Sequence, residues 1–185
     1  MKLGAWLERH YYTGDSPSGE RMAQIINRRV CAELDGPFVV FIIGARLNKP
    51  WKLNVVLPFL ATMPRMLKEL AAAPELGLLH VEQHFSLSGA TLVQYWRSFE
   101  QLEAYARDPE RAHQPVWRWF NQKLGSNGDI GIWHETYLIQ PGCYESVYNN
   151  MPAYGLGAAG TLVDAVGARQ EARQRMKAAA EKIAA

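Results

Sequence analysis

Two cysteines in 185 residues, Cys31 and Cys143, set the first limits on this chain. They lie far apart in neither a metal-type nor a redox-type spacing, so reduced thiols are expected. An excess of charge of one sign is missing too. Twenty Lys and Arg stand against 18 Asp and Glu, a formal net charge of +2, and no stretch gathers enough bases to cradle a phosphate backbone. Nucleic acid is therefore not an expected partner. The short cluster Arg169, Arg173, Arg175 and Lys177 is interleaved with Glu171, glutamines and alanines, and reads as a solvated helix face. Apolar runs long enough to span a bilayer are absent. Residues 36–45 and 53–64 are too short, and residues 146–163, though uncharged, hold Asn149-Asn150, Pro152 and three glycines. The first residues lack the apolar core and cleavage site of a signal peptide. The expectation is a cytoplasmic protein with no membrane partner. A nucleophile elbow around serine is missing, and so is any repeat at a solenoid period. The Gly-Leu-Gly-Ala-Ala-Gly of residues 155–160 follows an irregular Met-Pro segment, not a strand opening a βαβ unit, so it does not read as a dinucleotide site.

What is present is the material of a packed core. Hydrophobic residues make up 48% of the chain and charged residues 21%, the balance of a globular chain, and the length fits one domain over 1–185. Residues 1–19 are polar, end in a Gly-Asp-Ser-Pro-Ser-Gly turn, and read as an extension outside the core. The spacing of Met22, Ile25, Ile26, Val30 and Leu34 predicts a first helix over 20–34. Residues 38–45 then form a β-branched and aromatic run with apolar residues on both faces, as in a central strand. Leu60, Met63, Leu67 and Leu70 predict an amphipathic helix within 54–73 that Pro58 and Pro64 delay or kink. Residues 78–88 and 91–97 read as a hairpin turning at Ser88-Gly89-Ala90. Ser98 with Gln101 forms a capping box for a helix that buries Phe99, Leu102 and Tyr105. Asp108-Pro109 opens another helical segment, in which Val116, Phe120 and Leu124 recur, and residues 130–139 make a last strand. The central order is the split βαβ pattern of an α+β, ferredoxin-like fold, one face of whose sheet is left for another body to cover. Residues 145–163 read as an irregular arm and 165–184 as a helix within a C-terminal tail over 158–185. The whole is a core with extra N- and C-terminal helices.

Several segments carry a family likeness: Phe38 to Arg46 (Phe-Val-Val-Phe-Ile-Ile-Gly-Ala-Arg), Leu92 to Glu100 with Leu102 to Arg107, Gly131 to Tyr137 (Gly-Ile-Trp-His-Glu-Thr-Tyr), and Tyr144 to Leu156 with its Met-Pro pair. Together they resemble a monooxygenase-like family of fungal and bacterial secondary metabolism, over about residues 28–157. The resemblance implies a homodimeric α/β barrel of the antibiotic-biosynthesis-monooxygenase superfamily, with a pocket between sheet and helices of each protomer. Such relatives oxidise electron-rich aromatic or polyketide substrates with O2, often without metal or flavin. Other branches of the barrel bind haem, among them aldoxime dehydratases. The expected function is accordingly a small-molecule oxygenase acting on an aromatic or polyketide-like metabolite. The alternatives are a haem-dependent enzyme such as an aldoxime dehydratase-like lyase and a non-catalytic ligand-binding accessory dimer. The cofactor is either none or haem.

The densest chemistry lies on the last strand. Alternation puts Trp133, Glu135 and Tyr137 on one face and His134 and Thr136 on the other. If the first face lines the pocket, Glu135 and Tyr137 serve as base and hydrogen-bond donor to a phenol or enol, with Trp133, Tyr95, Arg97 and Arg46 binding substrate. The bland alternative is a buried ion pair of Glu135 with Arg46 or Arg97. His134 is either a third catalytic group or a satisfied strand histidine. His113 lies where haem-binding relatives of the barrel place an axial histidine, yet its polar neighbours Glu110, Arg111 and Gln114 equally suit a solvent-facing side chain. His80, Glu82 and His84 alternate on one strand face, which suits a metal set or simply an exposed edge, and no metal is expected. Trp96 reads as core.

Overall fold

The computed structural model describes residues 24–184 except 112, 124 and 126, without the side chains of 182–184. The predicted extension over 1–19, the start of the first predicted helix and Leu124 therefore lie outside the described residues. In chain order the elements are β1 (Ile26–Glu33), β2 (Phe38–Leu47), α1 (Leu53–Ala72), β3 (Leu78–Ser86), β4 (Gly89–Trp96), α2 (Phe99–Arg107), α3 (His113–Lys123), β5 (Ile130–Ile139), β6 (Tyr148–Met151), α4 (Leu156–Ala159), β7 (Thr161–Asp164) and α5 (Ala172–Ala184). The chain divides into two compact units.

The unit of residues 38–81 and 85–138 holds a four-stranded sheet in the order β3-β4-β2-β5. That order interlaces two βα units, which is the ferredoxin-like arrangement expected from the sequence. The central pair β2 and β4 is antiparallel, in register from Val39↔Trp96 to Arg46↔Gly89. Alternation along β2 sends Val39, Phe41, Ala45 and Leu47 to the helix side, where two apolar clusters form. One joins Val39, Leu70, Trp96, Leu102 and Tyr105, and the other Phe59, Phe120 and Ile130. Trp96 is only 1% exposed, and its indole N–H donates to Gln94 Oε1 at 2.8 Å, so its polar atom is satisfied within the core. The hydroxyl of Ser98 accepts the Gln101 N–H at 3.2 Å and caps α2 as predicted, whereas the Gln101 side chain reaches Glu75 O instead of closing the box. Phe99, expected in the buried stripe, is 40% exposed.

Helix α1 is not delayed by its prolines, and it departs from the expected stripe at Leu60. Pro58 and Pro64 both lie inside a helix that runs the full span Leu53–Ala72. Its buried residues are Val56, Phe59, Met66 and Leu70, so Leu60 faces outward at 44% exposure. Of the expected stripe, Leu70 is buried and Met63 and Leu67 are half-buried, while Leu60 lies in a stretch that is apolar all round, where periodicity has little to select on.

The other unit gathers the chain up to residue 37, residues 82–84 and the chain from residue 139 onward. Its sheet has the order β6-β1-β7, with β1 antiparallel to both neighbours. The helix predicted over 20–34 is thus a strand across its later part. Val30, Cys31 and Ala32 are buried and the ladders on both sides satisfy the backbone, so non-local pairing overrides the local helical spacing. The predicted arm over 145–163 is ordered as β6, α4 and β7 around the same strand. Ser146 Oγ accepts the Ala32 N–H at 2.9 Å, and the Tyr144 hydroxyl accepts from Leu34 N at 3.0 Å.

The basic cluster near the C-terminal end is also corrected. Arg175 is buried; its guanidinium donates to Glu145 Oε2 and to the carbonyls of Arg169 and Gln170. Arg169 in turn pairs with the buried Glu33. Two of the four bases are thus tied down, Arg169 to β1 and Arg175 to Glu145, and do not form a solvated face.

Candidate functional site

The helix side of the four-stranded sheet encloses a cavity of about 70 Å³. Ile43 of β2 and Met63, Met66 and Leu67 of α1 give it apolar walls, and three polar side chains reach it: Gln94 of β4, Tyr105 of α2 and His113 of α3. Each has a defined partner. Gln94 Oε1 accepts the Trp96 indole N–H, which leaves its amide group as donor. The Tyr105 hydroxyl donates to Glu69 Oε2 at 3.1 Å. Burial, reinforced by Glu69, raises the Tyr105 pKa far above the ordinary phenol value, so this group is a donor and not a base. His113 Nδ1 lies 2.9 Å from Ala106 O. A carbonyl can only accept, so Nδ1 carries the hydrogen, and in the neutral ring the lone pair lies on Nε2. His113 is half-buried, not solvent-facing as its polar neighbours allowed.

The last strand sends its residues to both sides. Ile130 and Ile132 pack on the helices, and on that side His134 brings its ring 5.6 Å from Phe41, although His134 itself is exposed. Trp133, Glu135 and Tyr137 lie on the opposite, helix-free face. There the Trp133 indole covers Gly44 so closely that a β-carbon on Gly44 would collide with it. The Tyr137 hydroxyl donates to Glu135 Oε2 at 2.7 Å, which raises the tyrosine's pKa and keeps it a donor. Tyr95, Arg97 and Arg46 share this face by alternation, with Tyr95 6.4 Å from the His80 ring. All of the predicted set except His134 is therefore brought to one surface, but on the side of the sheet away from the cavity. The suggested buried ion pair is not formed: Glu135, Arg46 and Arg97 are all exposed, and among the described residues no salt bridge joins them.

The strand triad diverges. Glu82 accepts the Gly155 N–H at 2.7 Å, His84 Nε2 stands 3.4 Å from the Tyr154 hydroxyl, and His80 faces Tyr95. Among the described residues no cluster of His, Cys, Asp and Glu is arranged to hold a metal ion. Both cysteines are free, and burial raises the pKa of the Cys31 thiol, as suits an unreactive core residue. Among the described residues no helix is long and apolar enough to cross a membrane.

A ferredoxin-like domain with an apolar chamber between sheet and helices defines the class of molecule. Residues 38–156 match the monooxygenase af470-like family, and the chain belongs to that family. It is 30% identical over 161 residues to monooxygenase af470 of Aspergillus fumigatus, a match covering 74% of this chain and 55% of that protein. The chain thus spans about half the length of this curated relative. Two crystal structures of aldoxime dehydratases, one in complex with butyraldoxime, superpose with TM-scores of 0.60 and 0.61 at 16% identity. Each covers 77% of this chain, which covers 44% and 45% of theirs. At that identity the likeness concerns the fold alone.

The sequence missed Gln94 and Tyr105 as cavity residues. Tyr105 was taken as plain core, and Gln94, flanked by apolar residues on a strand, carries no signal of its own.

Proposed function

We propose that the chain is a small-molecule oxygenase that binds an aromatic or polyketide-like metabolite in the cavity between the sheet and α1, α2 and α3. The observation that carries the reading is His113, which lines a chamber with apolar walls and whose Nδ1 bond to Ala106 O puts the lone pair of the neutral ring on Nε2. In this reading Nε2 accepts the proton of a phenol or enol, and the Gln94 amide donates to the resulting oxyanion. A phenol oxidised to a quinone takes up one atom of O2 and releases the other as water, so the substrate supplies all four electrons and no external reductant is required. The cavity is far below the roughly 300–1,000 Å³ of a usual ligand pocket, so entry requires α1 and α3 to part. A second copy of the chain covers the helix-free face, where Trp133, Glu135 and Tyr137 lie, and excludes water from it. In the companion version of this reading that face carries the chemistry, with Glu135 as base.

The same histidine favours a second reading. An imidazole that ligates a metal commonly donates its other N–H to a backbone carbonyl, as His113 does to Ala106. The donor chemistry suits a haem, and His113 is the residue that would hold its iron once α1 and α3 part to make room for it. When bound, the group would supply Lewis-acid and redox chemistry at that metal.

One preparation, expressed with haem supply, separates the readings by its absorption spectrum, its mass and its oxygen uptake on a panel of phenols. A two-chain mass and O2 uptake without a Soret band, at least tenfold slower in His113→Ala, are expected. A Soret band lost in His113→Ala establishes the haem enzyme. Ligand binding with no uptake on any phenol identifies an accessory protein and sinks the oxygenase.

A further inference from the structure

The first half of α1 is apolar on a side that no described residue covers. Leu53, Leu57, Leu60 and Pro64 recur at i, i+4, i+7 and i+11 and form one stripe, and the three leucines are 58%, 60% and 44% exposed. Trp51, immediately before the helix, is 72% exposed. Single exposed apolar residues are ordinary, but a contiguous stripe with a tryptophan at its end marks a contact surface. No charged residue occurs between Leu53 and Pro64, and the only polar side chains are those of Asn54 and Thr62, the latter donating to Phe59 O.

The rim decides the partner. From Leu47 to Lys68 the chain carries Lys49, Lys52, Arg65 and Lys68 and not one acidic residue. Lys49 and Lys52 share the single carboxylate of Asp129, which leaves an uncompensated positive charge even at that pair. Arg65 and Lys68, both exposed, follow the last leucine of the stripe by about one and two turns. Exposed leucines, an interfacial tryptophan and cations at both ends of a surface helix match the boundary of an anionic bilayer, where apolar side chains enter the acyl region and Lys and Arg meet the phosphates. We infer that α1 docks the protein on the surface of an anionic membrane, lying in its plane and not crossing it. The groove between α1 and α3, lined by Pro58, Thr62, Pro115, Val116 and Trp119, borders this face at Pro58. An apolar substrate dissolved in the bilayer would then meet the enzyme there. That last step rests on the proposed function, whereas docking itself does not.

Co-sedimentation of the full chain with phosphatidylcholine vesicles, with and without phosphatidylglycerol, tests docking without any substrate. Binding is expected only to the anionic vesicles and is reversed by salt. Leu57→Glu with Leu60→Glu should lower the partition coefficient by at least about tenfold. Arg65→Gln with Lys68→Gln should do so on the order of tenfold while leaving the leucines in place. No binding to anionic vesicles, or binding that neither double variant weakens, overturns the inference. Equally fatal is a self-association that the leucine variant abolishes, since the stripe would then belong to a second copy. If docking holds but phenol oxidation fails, only the proposed function falls.

Discussion

Asp129 is the residue on which the connection between β2 and α1 depends. It is 3% exposed, its carboxylate accepts from Lys49 Nζ at 2.7 Å and Lys52 Nζ at 2.8 Å, and its carbonyl accepts the N–H groups of Asn48 and Lys49. The Lys49 hydrogen bond, followed by that of Lys52, holds its pKa below the ordinary carboxylate value. A depressed pKa in the folded state means stability that is present above the unfolded value, about 3.9, and lost as the pH falls through the folded one. Asp129→Asn should therefore lower Tm at about pH 7, with the gap to the parent protein closing below about pH 4. Thermal melts at the two pH values read this directly, and a gap independent of pH would show that the ion pairs contribute nothing. At the same scale, the raised pKa of Tyr105 confines it to a structural donor, which leaves His113 as the cavity group with an available lone pair.

Among the elements, α2 offers the cleanest measure of what a local signal is worth. The Ser98 hydroxyl accepts one otherwise unpaired N–H of the first turn, and the glutamine half of the motif is diverted to Glu75 O. Ser98→Ala should destabilise the domain by about 1 kcal/mol, measured by denaturant unfolding, and a loss near zero would mean that water replaces the cap. Signals of this local kind, the cap, the hairpin turn and the period-2 strands, made β2 through β5 legible in the sequence. Strand β1 was not legible, because Met22, Ile25, Ile26 and Val30 fall at helical spacing and only pairing with β6 and β7, over a hundred residues away, makes a strand. The face of β5 was readable as an alternation, but not which alternate met the helices. That depended on Ile130 and Ile132 finding Phe59 and Phe120, a contact no local pattern encodes.

For the molecule as a whole, one sheet separates two chemistries: an apolar chamber with His113 on the helix side, and Trp133, Glu135 and Tyr137 on the bare side. Family membership over residues 38–156 was foreshadowed by the motifs on β2, β4 and β5. The cavity was not, since it is formed by side chains from β2, β4 and three helices whose mutual placement the sequence leaves unspecified. The central claim is that ligand binds in this chamber. Calorimetric titration with 1-naphthol of the parent protein, of Met63→Trp, which fills the cavity, and of Glu135→Gln with Tyr137→Phe tests it most directly. Binding that Met63→Trp weakens at least about tenfold and the strand variant leaves unchanged is the predicted result. Binding lost in the strand variant and retained in Met63→Trp would contradict the account and move the site to the bare face.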